Sequence, residues 1–456
     1  LAAGCSPGGG SAESRVREAW RLGSITPIGQ PVAAGGMVVV YGTEGEDLYL
    51  YGVAVGDGAV RWRQAASPST VVTGIAVTPH VKDGRVAYFR PDPSADLAAR
   101  LVVASSETGE DLLVSEPAHF TSHPRSCADD KDVCVTLIDR DGSAVPRRFS
   151  VEGRGPAPDA GAPPPESRYV GTDLLDLGQR GPEMLAGFSD GAVRWRSPLT
   201  RHFSEGFSTD EGWYFELYRS AGMHVGSVGR PADREEPSVV VVDLSKGETA
   251  AIEAATGSPA WRSQGTRFAC SARVELRRVA APGRSELWPV RCRYRGVAQY
   301  NRLTGAGTYE GLDVTVEGFD VSTGATTWSV PLGAAEAFME EDYEATAVGG
   351  TEVLVQAASN PLIIDLADGS TRSPGKDEAF WCGSNGFFRY REPRRLSDGR
   401  TFNTWRGGTL LSRCRADGSP TDAVPRDIAR SLGATVGDRT IVSLADGLVA
   451  YDRPGS

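Results

Sequence analysis

Seven cysteines, five histidines and a few acidic runs are the residues of this chain whose types and spacing could do covalent, metal or acid/base chemistry. Cys5 stands alone in a Gly/Ser-rich start, which leaves Cys127, Cys134, Cys270, Cys292, Cys382 and Cys414. Six thiols allow about 15 connectivities in principle. Their clustering into sequence-local couples favours Cys127 with Cys134, Cys270 with Cys292, and Cys382 with Cys414. The first couple brackets the polar stretch Ala128-Asp129-Asp130-Lys131-Asp132, and the second brackets a turn at Ala281-Pro282-Gly283-Arg284. Both read as staples across hairpins, which an oxidising compartment permits. Zinc is the rival use of cysteine, but no Cys-x-x-Cys spacing occurs and His80, His119, His123, His202 and His224 do not recur with the thiols.

The remaining reactive types give no constellation. Glu340-Glu341-Asp342 and Asp129-Asp130 could pair carboxylates for proton transfer or calcium, yet charge runs at turns are ordinarily solvated. His119 and His123 would align only on a helix, and Pro117 and Pro124 argue against one. Neither a Gly-x-Ser-x-Gly elbow nor a Gly-Lys-Ser/Thr phosphate loop appears. Arg147-Arg148, Arg277-Arg278 and Arg394-Arg395 are isolated pairs that read as surface charge. The sequence therefore nominates no catalytic, cofactor-binding or metal-binding residue, and the expectation is a protein that is not an enzyme.

Residues Leu1-Ala2-Ala3-Gly4 lead into Cys5, and Ser6-Pro7-Gly8-Gly9-Gly10-Ser11 follows it. This resembles a bacterial lipobox, with Ala2 where such sites usually carry Leu. The resemblance implies lipidation at Cys5, with residues 1–14 as a flexible tether. A net charge of −11 excludes a generic nucleic-acid binder, because neutralising phosphates takes a basic surface. No run of 18 apolar residues occurs that could span a bilayer as a helix. With 55 Gly and 29 Pro but 40% hydrophobic residues, the chain is turn-rich and still able to bury a core.

The elements that would position any site repeat. Asp57-Gly58-Ala59-Val60-Arg61-Trp62-Arg63 recurs letter for letter as Asp190-Gly191-Ala192-Val193-Arg194-Trp195-Arg196. The same frame, Trp four residues after a turn Gly, returns at Gly257 with Trp261 and at Gly324 with Trp328. Weaker copies keep the turn without the Trp at Thr108-Gly109, Asp368-Gly369 and Asp417-Gly418. Each unit reads as short strands; Met37 to Tyr41, Leu48 to Val55 and Ala59 to Trp62 are the clearest. Asp or Thr before Gly suits the turn, since its side chain can bond local backbone while Gly accepts a positive φ. Such units bury both faces only against neighbours, so the array predicts an all-β fold, a single β-propeller over residues 15–456. Seven marked units plus a composite one, built from Arg15 to Leu22 with Trp20 and from Thr440 to Leu444 and Leu448 to Tyr451, make eight blades. The extra Asp141-Gly142 turn blurs boundaries between residues 120 and 197 and leaves seven as the alternative.

These turn-and-Trp residues, as in Thr323-Gly324-Ala325-Thr326-Thr327-Trp328, resemble the PQQ-like repeat of β-propellers, over nearly the whole chain from Trp20 to Tyr451. That family holds quinoprotein dehydrogenases, which carry pyrroloquinoline quinone with calcium, and cofactor-free scaffolds such as the lipoprotein of the outer-membrane β-barrel assembly machinery. Many of the dehydrogenases have a vicinal Cys-Cys disulfide, absent here, and an Asp/Asn pair that no motif of this chain matches. The resemblance thus implies a membrane-anchored, extracytoplasmic scaffold or accessory subunit docking envelope or membrane proteins, without a cofactor. A PQQ- and calcium-dependent dehydrogenase, or a propeller sensing wall glycans or solutes, is the alternative.

Overall fold

The computed structural model describes residues 16–452 apart from 72–76, 95, 128–131, 140–141, 152–155, 160–161, 165–166, 179–181, 190, 237, 269, 271–286, 302, 305, 337–338, 340–345, 350, 396–400, 427 and 429–431. The fold is an all-β propeller. Eight sheets of four to six strands are present among the described residues, nearly all built from antiparallel neighbours. The first sheet contains Met37–Glu44, Asp47–Ala54 and Val60–Ala65, and the second Arg85–Pro91, Ala99–Ser105 and Asp111–Val114. Val133–Ile138 pairs Ala144–Phe149 in the third, and Met184–Ser189 pairs Ala192–Pro198 in the fourth. The fifth carries Ser208–Tyr218, Met223–Gly229, Glu248–Glu253 and Pro259–Gln264; the sixth is centred on Val290–Asn301, Gly307–Phe319 and Thr326–Gly333. Glu352–Gln356 and Pro361–Asp365 form the middle of the seventh. In the eighth, Arg439–Leu444 pairs Gly447–Asp452, which in turn pairs the N-terminal strand Arg17–Leu22.

Burial explains the strand patterns. Met37 to Tyr41 is apolar at every position and buried throughout, because neighbouring sheets cover both faces of a middle strand. Val60–Ala65 ends its sheet and buries only Trp62, because an edge strand is covered on one side alone.

Tryptophan joins the sheets in one repeated way. The indole N–H of Trp20 donates to the Val55 carbonyl at 2.9 Å, Trp62 to Ser106 at 3.0 Å, Trp195 to Ala254 at 2.8 Å, and Trp261 to Val321 at 2.7 Å. Each acceptor precedes by three residues the turn Gly of the next sheet, Gly58, Gly109, Gly257 or Gly324, and Trp328 packs in the same way on Gly369. These glycines have φ between 70° and 74°, and a Cβ on any of them would come within 2.7 Å of the ring. Where no Trp is present, apolar packing substitutes: Phe89 stacks on Phe120 at 4.5 Å between the second and third sheets.

Two parts of the expected repeat change. Asp417-Gly418 is not a blade turn; it closes a local loop, with Arg415 N–H donating to the Ser419 carbonyl, after a long hairpin of Phe380–Arg395 and Thr401–Cys414. Gly142 joins the two middle strands of the third sheet, which has no Trp marker of its own. The Asp-Gly dipeptide is a turn signal that hairpins of any kind can use, so it does not by itself mark a blade.

Candidate functional site: two unlike faces

Because neighbouring strands run antiparallel, the links between first and second and between third and fourth strands fall at one end of each sheet. The other links fall at the opposite end. The first end is a face of short turns. Its side-chain hydrogen bonds repeat: Ala59 N–H to Asp57 Oδ1, Glu110 N–H to Thr108 Oγ1, Ser258 N–H to Thr256 Oγ1, Ala325 N–H to Thr323 Oγ1 and Ser370 N–H to Asp368 Oδ1.

The opposite face carries what the repeat does not explain. Val239–Asp243 leaves the fifth sheet and pairs instead with the far end of Val290–Asn301, and Arg234–Glu235 pairs in turn with Val239–Asp243. That extension ends at Leu303, the most exposed large apolar side chain described, at 84%. Exposed Trp213 lies on the first strand of the fifth sheet.

The long hairpin is the largest departure. It meets the eighth sheet at Leu411 beside Leu444 and crosses the first sheet where its first strand is interrupted at Ile28–Gln30, between Thr26–Pro27 and Val32–Ala34. There Gln30 donates to the Thr409 and Ser443 carbonyls. Backbones touch at this crossing, since a Cβ on Gly386 or Gly407 would lie 2.2 or 1.9 Å from the Ile28 carbonyl oxygen. Beyond it Trp405, fully buried, donates to the Val71 carbonyl at 3.0 Å. Phe388, Phe402 and Trp405 enter the core shared by the first and second sheets. Arg394 pairs with Asp96 at 3.1 Å and lies over the Tyr390 ring. Phe387, on the same hairpin, stays 45% exposed with Arg389 over its ring at 5.9 Å. Residues 380–414 hold seven arginines against Glu392 and Asp398, a basic element in an acidic chain.

The three cysteine couples are bonded as Cys127–Cys134, Cys270–Cys292 and Cys382–Cys414, the last at the base of the long hairpin. Cys5 and residues 1–14 lie outside the described residues, as do Asp129-Asp130, Glu340-Glu341-Asp342 and Arg277-Arg278. Arg147 and Arg148 serve their own sheet, pairing with Asp139 and Asp132. His119 sits on a strand opposite Ile138 and shares no helix with His123. Among the described residues no three His, Cys, Asp or Glu side chains converge as a metal site would require. A buried ion cluster does exist. Arg291 and Arg293 donate to Glu317, and although burial works to raise the Glu317 pKa, those bonds hold it below the usual carboxylate range.

Sequence reading missed two features. Each repeat Trp lies over a small residue of the adjacent strand, Gly52, Gly187, Ala251 or Gly318, eight to ten positions upstream. That Gly/Ala-to-Trp spacing was readable. Trp405 was not, because its frame occurs once.

No family model matches this chain, and no curated protein does. Solved structures similar to it include BamB from Moraxella catarrhalis, at 11% identity and TM-score 0.26, covering 96% of this chain and 100% of that one. Another is the quinohemoprotein alcohol dehydrogenase ADHIIG from Pseudomonas putida HK5, at 11% identity and TM-score 0.39, covering 91% of this chain and 78% of that one. The β-propeller domain of the Trilobed protease from Pyrococcus furiosus is similar at 11% identity and TM-score 0.34, covering 76% and 97% respectively. No residue role is carried over from any of them.

Proposed function

We propose that the chain is a non-catalytic propeller that docks other proteins of the cell envelope through its insertion face, held near a membrane by a lipid on Cys5. The observation that carries this reading is the long hairpin, which breaks the repeat, is anchored by the core of two sheets, and leaves Phe387 and a set of arginines outward. An exposed aromatic rimmed by guanidinium groups is the composition of a binding hot spot. Three disulfides fit folding in an oxidising, extracytoplasmic space.

The experiment is crosslinking of the lipidated protein on cells, comparing wild type with Phe387→Ser/Arg389→Glu. Specific partners captured by wild type and lost from the folded variant support the reading. Identical capture by both, or purified protein that binds PQQ with calcium and oxidises alcohols or sugars, overturns it. Cys5→Ser should release the protein from membranes, and unchanged retention would remove the anchor from the account.

A further inference from the structure

The long hairpin has two unlike faces, and its register assigns each side chain to one of them. Phe387 stands opposite Arg406, Phe388 opposite Trp405 and Arg389 opposite Thr404. Residues directly opposite each other share a face, and successive residues alternate between faces. Phe388 and Trp405 are buried in the core of the first and second sheets. Phe387, Arg389, Thr404 and Arg406 therefore stand on the outer face.

The two edges of the hairpin differ as well. Along Thr401–Cys414 the edge is occupied, since Val77 donates its N–H to the Arg406 carbonyl at 2.6 Å and Leu411 pairs with Leu444. Phe380–Arg395 is the last strand of its sheet. From Phe387 to Tyr390 its backbone makes no hydrogen bond beyond the hairpin among the described residues. Such an edge offers a row of N–H and C=O groups to an incoming strand.

Charge selects what would cover it. On the first and second sheets Arg61, Arg63, Arg90 and Arg100 each hold an Asp or Glu at 2.5 to 2.7 Å, and Arg394 on the hairpin holds Asp96. Arg389 and Arg406 have no ion pair among the described residues. The Arg389 guanidinium lies over the Phe387 ring instead, and Arg406 Nε is buried without a hydrogen-bond partner. In a chain of net charge −11, two cations beside one exposed ring lack the carboxylates that the molecule has in excess.

A segment pairing with Phe387–Tyr390 would turn every second side chain to the outer face, beside Arg389. Arg406 stands one strand further in, about 10 Å from the added strand, a gap that an arginine and a glutamate side chain close together. Carboxylates at those positions would take guanidinium hydrogen bonds, and the residues between them would lie on the core side, where β-branched types fit.

We infer that this edge takes up an extended acidic segment of a partner protein as an added strand, its alternate carboxylates on Arg389 and Arg406 and its outer face against Phe387. The inference rests on the docking role proposed above and names the chemistry of what docks. A membrane surface would use the same cations without any alternation along a strand.

The probe is the labelled octapeptide TEVEVEVT, blocked at both ends and titrated against the purified full chain by fluorescence anisotropy. Its controls are TQVQVQVT, which lacks the charge, and TEEEVVVT, which keeps the charge and loses the alternation. Wild type should bind TEVEVEVT saturably and both controls at least about tenfold more weakly, the scale of one lost charged hydrogen bond. Arg389→Gln and Arg406→Gln should each weaken binding about tenfold with the melting curve of wild type. Absence of saturable binding, equal binding of TEEEVVVT, or full binding by folded Arg389→Gln overturns the inference. Vesicles of phosphatidylglycerol bound by wild type and not by the two variants, with the peptide ignored, would assign the arginines to a membrane and overturn it too. Capture of partners on cells by a protein that ignores the peptide leaves the docking role standing while the acidic strand falls.

Discussion

The two faces of this propeller are built from the same strands and obey different rules. On the short-turn face, five connections repeat one device: a Gly with positive φ, an Asp or Thr bonding the next N–H but one, and a Trp from the preceding sheet laid over the Gly. On the insertion face, the described connections vary in length from a tight turn to a long hairpin, and the largest one reaches across three sheets. Turns that seal neighbouring sheets are constrained by packing density and must recur wherever the junction recurs. Connections that project from the stack need only avoid harming it, so they are free to carry recognition.

The sharpest way to break this contrast is to empty a seal. Trp195→Ala removes a buried indole, its hydrogen bond to Ala254 and the cover on Gly257, and should cost about 3–5 kcal/mol in urea denaturation. Any loss of partner binding should track the loss of folded protein. A Trp195 variant with full stability but no binding would move this ring from the seals to the interface.

Next in size is the effect of acid, which tests whether buried imidazoles on both faces are held neutral. Burial lowers the pKa of His123, His202 and His224 from 6.5 to about 4. Between those values the unfolded chain binds protons that the folded chain refuses, so stability is full above about pH 6.5 and falls as pH drops toward 4. Each histidine contributes up to about 3 kcal/mol to that slope. Denaturation midpoints from pH 7.5 to 4.5 should show the decline, and His224→Val should make it shallower. A flat profile would mean that these rings gain partners when protonated.

How much of this could be read beforehand follows from the same contrast. The duplicated Asp57 to Arg63 and Asp190 to Arg196 segments, the Trp frames and the cysteine couples are local, so spacing alone exposes them. Trp20 was legible as a seal because the composite sheet needed an outer strand, and it lies on Gly58. The crossing of the hairpin over Ile28 was not legible, since residues 28 and 407 meet through tertiary packing with no periodic trace. The same Asp-Gly signal at 417 that suggested a blade turn only closes a loop after that hairpin. His224 stood in plain view among five histidines, but its burial against Trp195 comes from tertiary packing that leaves no periodic trace.

A smaller expected effect separates the hairpin from the ring it crosses. Gly407→Ala places a methyl group against the Ile28 carbonyl, where there is no room, and should cost about 1–3 kcal/mol. The loss should be local. Hydrogen exchange should accelerate at residues of the hairpin and at Val77, whose N–H donates to the Arg406 carbonyl, while strands such as Gly307–Phe319 keep their protection. Uniform acceleration over the whole chain would show that the hairpin belongs to the folding core, and the division into seals and insertions would fail there.

The smallest effect on stability is expected where the consequence for binding is greatest. Phe387 is 45% exposed, and Arg389 over its ring sits on the same strand, so neither side chain seals a junction. Phe387→Ser/Arg389→Glu should therefore shift the denaturation free energy by less than about 0.5 kcal/mol, as surface substitutions do. The pair nonetheless joins the two ingredients that dominate binding energy at small contact areas, an aromatic ring and a guanidinium. Reversing the charge also adds repulsion against an acidic partner, the kind a basic hairpin selects. A pull-down from crosslinked cells, normalised to folded protein by its melting curve, reads both quantities in one sample. Lost partners with an unchanged melt would place recognition on the insertion face. Retained partners with an unchanged melt would make the exposed ring an ordinary surface residue and leave the hairpin as an internal brace across the first, second and eighth sheets.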